Sequence, residues 1–124
     1  MREIKFRGKD NDCWAYGYYV ANTFTNPAKH YIYHSANQKF IREVEPDTVG
    51  QYTGLKDKNG REIYEGDIIE DILTAEKQVV EFHGNAFTLV GYKSRFFFTV
   101  FRSNEKQIIG NIYDNPELLE VNNE

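Results

Sequence analysis

Apolar and polar residues alternate with period two in short bursts along most of the chain, the pattern of strands with one face buried. In Arg2-Glu3-Ile4-Lys5-Phe6-Arg7 the alternation puts Ile4 and Phe6 on one face and Glu3, Lys5 and Arg7 on the other. Gly8 to Asp12 supplies a polar turn. Trp14, Tyr16, Tyr18 and Val20 then fall on one side of a second strand, opposite Gly17 and Tyr19. These two strands are expected to form a hairpin. Between Asn22 and Asn37 the pattern weakens: Asn26-Pro27 marks a turn, and His30 to His34 is an aromatic run without a clear pairing. Lys39 to Val44 reads as another strand. Glu45-Pro46-Asp47 stops it, because proline has no ladder donor and pushes its predecessor into extended geometry. This strand is expected at a periphery.

The segment from Val49 to Ile69 concentrates turn signals. Thr48 to Thr53 is strand-like, Gly54 permits a positive φ, and Asp57-Lys58-Asn59-Gly60 is a tight-turn sequence containing the hairpin dipeptide Asn-Gly. Ile63 and Tyr64 make a very short strand, and Glu65-Gly66-Asp67 turns the chain into Ile68 and Ile69. From there the alternation predicts strands over Asp67 to Leu73, Lys77 to His83, Ala86 to Tyr92, Phe96 to Phe101 and Gln107 to Tyr113. Short connections such as His83-Gly84-Asn85 and Ser103-Asn104-Glu105 join them. Strands this short and close suit a small closed barrel of SH3-like topology, with Val80, Phe82, Leu89 and Val100 inside. Asn115-Pro116-Glu117-Leu118-Leu119 combines an N-cap, a proline at the first helical position and an acidic first turn, the start of a helix of one or two turns. Asn122 to Glu124 is expected to fray. The predicted fold is all-β: an N-terminal β layer (1–61) packed on a C-terminal SH3-like small barrel (62–124), with a short C-terminal helix.

Composition sharpens this picture. At 124 residues the chain has the length of one domain, and folding buries roughly two-thirds of its unfolded surface. An aromatic share of 15% strengthens the β reading, because Tyr and Phe favour pleated, half-buried surfaces. The formal charge of −4 offers no overall field for phosphate backbones. Cys13 is the only thiol, which excludes an intrachain disulfide and fits a reducing compartment, so a cytoplasmic location is expected. The start of the chain alternates charge with Ile4 and Phe6 where a secretory leader is apolar, and no apolar run approaches bilayer length. No membrane association or processing is expected.

Candidate chemistry is sparse. Nothing assembles a nucleophile with a base, a metal cage or a phosphate cradle, so no catalytic residue, metal ligand or cofactor is expected. His30 and His34 have the four-residue spacing of zinc ligands but lack an accompanying glutamate motif and a second thiol, and read as surface or half-buried histidines. Asp57-x-Asn59 starts like a calcium loop, yet Glu62 stands where glycine belongs and Arg61 takes a ligand position; the segment is a turn. Glu65 and Asp67 flank Gly66 and read as turn-fixing carboxylates. Gly50 and Gly54 lack the Lys-Ser or Lys-Thr pair of a phosphate loop. Cys13, among large aromatics, reads as inert packing.

Two features stand apart. Arg2, Lys5, Arg7 and Lys9, then Lys56, Lys58 and Arg61, form two basic clusters in an acidic chain. Residues 1–66 carry 10 Lys and Arg against 9 Asp and Glu, whereas residues 67–124 carry 5 against 10. Beside tyrosines such as Tyr18, Tyr19 and Tyr52, the cations Arg2, Lys5, Arg7, Lys56, Lys58 and Arg61 are candidate nucleic-acid contacts: charge attracts the backbone and rings stack on bases. Secondly, Phe96, Phe97, Phe98 and Phe101 cannot all enter one core from one strand. A second sheet of the same chain or a second subunit must cover the remainder.

The start REIKFRGKD with Trp14-x-Tyr16-Gly17, the centre VGQYTGLKDKNGREIYEGDII and the close IIGNIYDNPELLE resemble, in that order, the signature blocks of the YopX family of phage and prophage proteins. The resemblance runs nearly end to end and implies one mostly β YopX-like domain over 1–124. The family carries no established activity, so it transfers no catalytic residues. The resemblance implies a phage-derived or mobile-element origin; the role expected on top of it is that of a non-enzymatic phage or prophage accessory protein in the host cytoplasm, acting by protein–protein contacts, homo-oligomerisation among them. The alternative is a nucleic-acid-binding small-barrel module. Asn22 to Phe40 and Lys93 to Gln107 are least like the signature, and individual specificity is expected there.

Overall fold

The computed structural model describes residues 4–11, 13–34, 41–83, 86–91, 95–97 and 103–119. Its strands are β1 (Phe6–Lys9), β2 (Trp14–Asn22), β3 (Lys29–Tyr33), β4 (Ile41–Lys56), β5 (Glu62–Tyr64), β6 (Asp67–Asp71), β7 (Lys77–His83), β8 (Ala86–Val90), β9 (Arg95–Phe97) and β10 (Lys106–Asn111). Two 3-10 turns, Ser103–Glu105 and Pro116–Leu119, are the helical segments among the described residues. The fold is all-β, in two antiparallel sheets. No helix among the described residues is long and apolar enough to cross a membrane. Contacts divide the chain into units 1–52 and 53–124, inside β4; the turn signals divide it at 61/62.

In the first unit the expected hairpin forms, with Phe6 opposite Gly17 and Lys9 opposite Trp14. The run His30 to His34, ambiguous as sequence, supplies β3, which pairs with β2 from Tyr18↔Tyr33 to Asn22↔Lys29. β4 pairs first with β3, from Tyr33↔Ile41 to His30↔Val44, and then with β1, at Lys9↔Glu45, Arg7↔Gly50 and Phe6↔Gln51. The ladder β1–β2–β3–β4–β1 therefore closes on itself.

Pro46 does not stop the strand as the sequence predicts. It lies just past the point where β4 leaves β3 for β1. There the Thr48 hydroxyl mends the ladder: its Oγ1 accepts the Lys9 N–H at 2.8 Å and donates to the Glu45 carbonyl at 2.7 Å. Inside this unit Ile32 and Val44 are buried. Gly8 lets β1 approach, because a Cβ there would lie 2.8 Å from Val44 Cγ2.

The second unit contains the end of β4, which continues the sheet to β5, and a separate sheet of order β10-β6-β7-β8-β9. Its core is Ile63, Ile69, Val80, Phe87, Leu89 and Ile108, with Leu55 packed against it. Ile68 is fully buried as well as its neighbour Ile69, so both faces of β6 are covered. Val80 and Leu89 point inward as the alternation predicts. Phe82 does not: it is 41% exposed at the end of β7, its ring 4.8 Å from that of Phe87. Val100 and the side chains of the Phe96 to Phe98 run lie outside the described residues. The terminal helix is a single 3-10 turn, Pro116–Leu119, its start held by the Leu118 N–H donating to the Asn115 carbonyl.

Candidate functional site

Alternation along β1 and β2 sets one face of the N-terminal unit. Lys5, Arg7 and Lys9 lie on the same side, and the register Arg7↔Tyr16 and Lys9↔Trp14 places them beside Trp14 and Tyr16. The same face continues through Tyr18↔Tyr33, Val20↔Tyr31 and Tyr33↔Ile41. Tyr16, Tyr18 and Val20 are 43%, 58% and 43% exposed, while Tyr31 and Tyr33 are half-buried. Arg7 and Lys9 approach the Trp14 ring, their Cζ and Nζ 4.5 and 5.9 Å from its centroid, and Lys5 Nζ stands 5.4 Å from the centre of the Tyr52 ring. Attraction between cation and ring quadrupole, about 0.5–2 kcal/mol per contact, holds these side chains against the sheet. Arg7 is buried, so it serves packing as well as charge.

A groove of about 460 Å³ opens between β2 and the β3–β4 ladder, lined by Trp14, Tyr16, Ile32, His34, Ile41 and Arg42. Its origin is topological. β2 pairs with β3 only from Tyr18 onward, so residues 14–16 follow β1 and leave a gap towards residues 32–34. Arg42 Nη1 meets Asp10 Oδ2 at 2.7 Å, and Asp10 Oδ1 accepts the Cys13 N–H at 2.8 Å. The hydrogen bond to Asp10, and the charge behind it, hold the Arg42 guanidinium above its ordinary pKa. A second groove of about 570 Å³ lies at the other end of β3, lined in part by Asn26, Lys29, His30, Glu43 and Glu45.

The sequence-derived cations fall into separate units. Lys5 and Arg7 share the face just described; Lys56, Lys58 and Arg61 are exposed around the β4–β5 hairpin; Arg2 lies outside the described residues. His30 and His34 do not converge. His30 Nδ1 is 2.7 Å from the Tyr19 hydroxyl, whereas His34 lines the groove. Cys13 is exposed, contrary to the packing role expected of it. Among the described residues no group of three or more His, Cys, Asp or Glu is placed to hold a metal.

Asp57 and Asp67 are occupied by backbone. Asp57 is buried, its Oδ1 accepting the N–H groups of Asn59 and Arg61 at 2.9 and 3.0 Å and its Oδ2 that of Ile108 at 2.9 Å. Asp67 Oδ2 accepts the Tyr64 N–H at 2.7 Å. Sequence reasoning missed two clusters. One is the groove, whose Ile41 and Arg42 carry no motif. The other is Lys106, buried with its Nζ 2.7 Å from Asp71 Oδ2 and 3.1 Å from Gln78 Oε1. Its hydrogen bond holds the Asp71 carboxyl below the usual range. No local signal marked Lys106: Glu105 and Gln107 flank it, and its partners lie 35 and 28 residues away in sequence.

No curated protein matches this chain. The family model described as YopX protein matches residues 5–120, nearly all of the 124 and including every strand described above. The chain belongs to the YopX family.

Proposed function

We propose that this chain is a non-enzymatic phage or prophage accessory protein that works in the host cytoplasm through protein–protein contacts on the outer face of its N-terminal unit. The observation that carries this reading is the exposed row Tyr16, Tyr18 and Val20 on β2, continued by Tyr31 and Tyr33 on β3. Aromatic patches of this kind are what protein interfaces bury at their centres. Self-association is the simplest form, since one surface pairs with its own copy about a two-fold axis. The light-scattering mass of the full chain tests it: a multiple of 14.5 kDa that falls to the monomer in Tyr18→Glu supports the reading. A monomer at millimolar concentration withdraws self-association.

The finer architecture belongs to the same proposal. In the C-terminal sheet the last strand lies beside the first, a meander follows, and the 3-10 turn Ser103–Glu105 directly precedes the last strand. That order supports an SH3-like small barrel.

A second reading, a nucleic-acid-binding small-barrel module, is favoured by the alternation of Lys5, Arg7 and Lys9 beside the β2 rings. In it Arg2 and Lys5, with Lys56, Lys58 and Arg61, contact phosphates while the exposed tyrosines stack on bases; Arg7, buried against Trp14, holds that ring in place instead. Retention on single-stranded DNA that falls steeply with salt supports it. Retention insensitive to charge reversal at these lysines removes it.

A further inference from the structure

The groove beside Trp14 has a chemistry that neither a flat contact face nor a phosphate track uses. Its volume, about 460 Å³, lies within the roughly 300–1,000 Å³ of small-molecule sites. Trp14 and Tyr16 supply aromatic walls, the buried Ile32 and the opposing Ile41 apolar surface, and Arg42 and His34 the polar groups.

Charge narrows the ligand. Arg7 and Lys9, on β1, stand over the indole without lining the groove. They already engage the negative face of the ring, and Arg42 stands on the opposite wall. A quaternary ammonium or methylated lysine would meet cations on both sides. A planar ring bearing a negative group would meet an aromatic wall and a guanidinium. Asp10 meets Arg42 at Nη1 and Cys13 lies within hydrogen-bonding reach of the same group; a guanidinium has five N–H donors in a fixed fork, so these contacts orient it and still leave donors to spare for an anion.

We propose that this groove binds one unpaired nucleobase together with its phosphate, the base against Trp14 and Tyr16 and the phosphate on Arg42. The ligand is a free nucleoside monophosphate or one nucleotide of a single strand. The strand source rests on the nucleic-acid reading above; the free nucleotide does not.

Trp14 is the only tryptophan, so its emission reports on the groove directly. The test titrates the full chain with deoxyadenosine monophosphate, with deoxyadenosine and with a short oligodeoxyadenylate. Saturable quenching by the monophosphate is expected, weakened roughly tenfold by Tyr16→Ala, the scale of one lost base stack. Arg42→Gln weakens the monophosphate by a similar factor and leaves deoxyadenosine unchanged. Tyr16 and Arg42 are both exposed, so neither change opens the core, and circular dichroism verifies the fold. Tighter binding of the oligonucleotide than of the monophosphate, with the same sensitivity to both substitutions, identifies a strand; equal or weaker binding identifies the free nucleotide. Absence of saturable quenching by all three probes overturns the proposal. Quenching by the oligonucleotide that ignores both substitutions also overturns it, while leaving nucleic-acid binding elsewhere on the chain intact.

Discussion

Asp57 ties three backbone N–H groups together, because its two oxygens take those of Asn59 and Arg61 in the β4–β5 turn and that of Ile108 in β10. Burial pushes its carboxyl pKa up, but the donors Ile108, Arg61 and Asn59, with the Arg61 charge, outweigh burial and bring it below the ordinary value. A carboxyl lowered on folding adds stability that is complete above its unfolded pKa of about 3.9 and is lost as pH falls through the folded value. Denaturant midpoints measured from pH 7 down to pH 2 are therefore expected to fall below about pH 4, and Asp57→Asn is expected to flatten that fall. At pH 7 Asp57→Ala should cost about 2–4 kcal/mol by stranding buried donors. The turn itself was legible, since Asp-Lys-Asn-Gly is local chemistry. The bond to Ile108, 51 residues away, was not, because no local pattern encodes it. Gly66 makes the same point through backbone: φ is +92°, and a Cβ would lie 2.9 Å from the Tyr113 ring. Gly66→Ala is expected to cost about 2–3 kcal/mol, from left-handed strain and a displaced ring, read as a lower denaturant midpoint at unchanged slope.

Among the elements, β4 departs furthest from its sequence signal. Proline normally ends a ladder, and the reading of Glu45-Pro46-Asp47 as a stop follows correctly from that rule. The strand survives because its changeover from β3 to β1 falls at the proline, where a ladder donor is least needed, and because Thr48 is placed to accept the Lys9 N–H. Thr48→Val keeps the shape and removes the acceptor. It is expected to cost about 1–2 kcal/mol. Hydrogen exchange at the Lys9 amide should accelerate while the β7–β8 amides stay protected. An unchanged Lys9 rate would assign the continuity of β4 to its β1 pairing alone. The β1–β2 hairpin and the β6–β7–β8 meander were readable because neighbours in sequence pair with one another. Closure of the β1–β4 ring was not, since Arg7↔Gly50 joins residues with three strands' worth of chain between them. The groove depends on where β2 exchanges β1 for β3, and so was equally hidden.

At the scale of the whole molecule, charge and aromatic surface are divided unequally. Residues 1–52 carry seven Lys and Arg against six Asp and Glu, and residues 53–124 carry eight against thirteen, so the units stand at +1 and −5. The first unit has aromatic rings beside its cations; the second holds Lys56, Lys58 and Arg61 in an acidic background. Net charge alone hid this division, and composition argued against phosphate for the chain as a whole. Salt dependence resolves it, because each phosphate contact on a single strand adds about 0.7 to the slope of log affinity against log salt. Under the nucleic-acid reading, Lys5→Glu with Lys9→Glu is expected to lower that slope by about 1.4, and Lys56→Glu with Lys58→Glu by a similar amount. Arg7 is left intact in both pairs, since its burial against Trp14 would turn a binding test into a folding test. Were only the first pair to change the slope, the phosphate track would belong to the N-terminal unit, beside the groove, and the hairpin cations would serve solubility in an otherwise acidic unit. Were neither to change it, the aromatic face would be left as a surface for protein, and the exposed tyrosines would take over the whole explanation of binding.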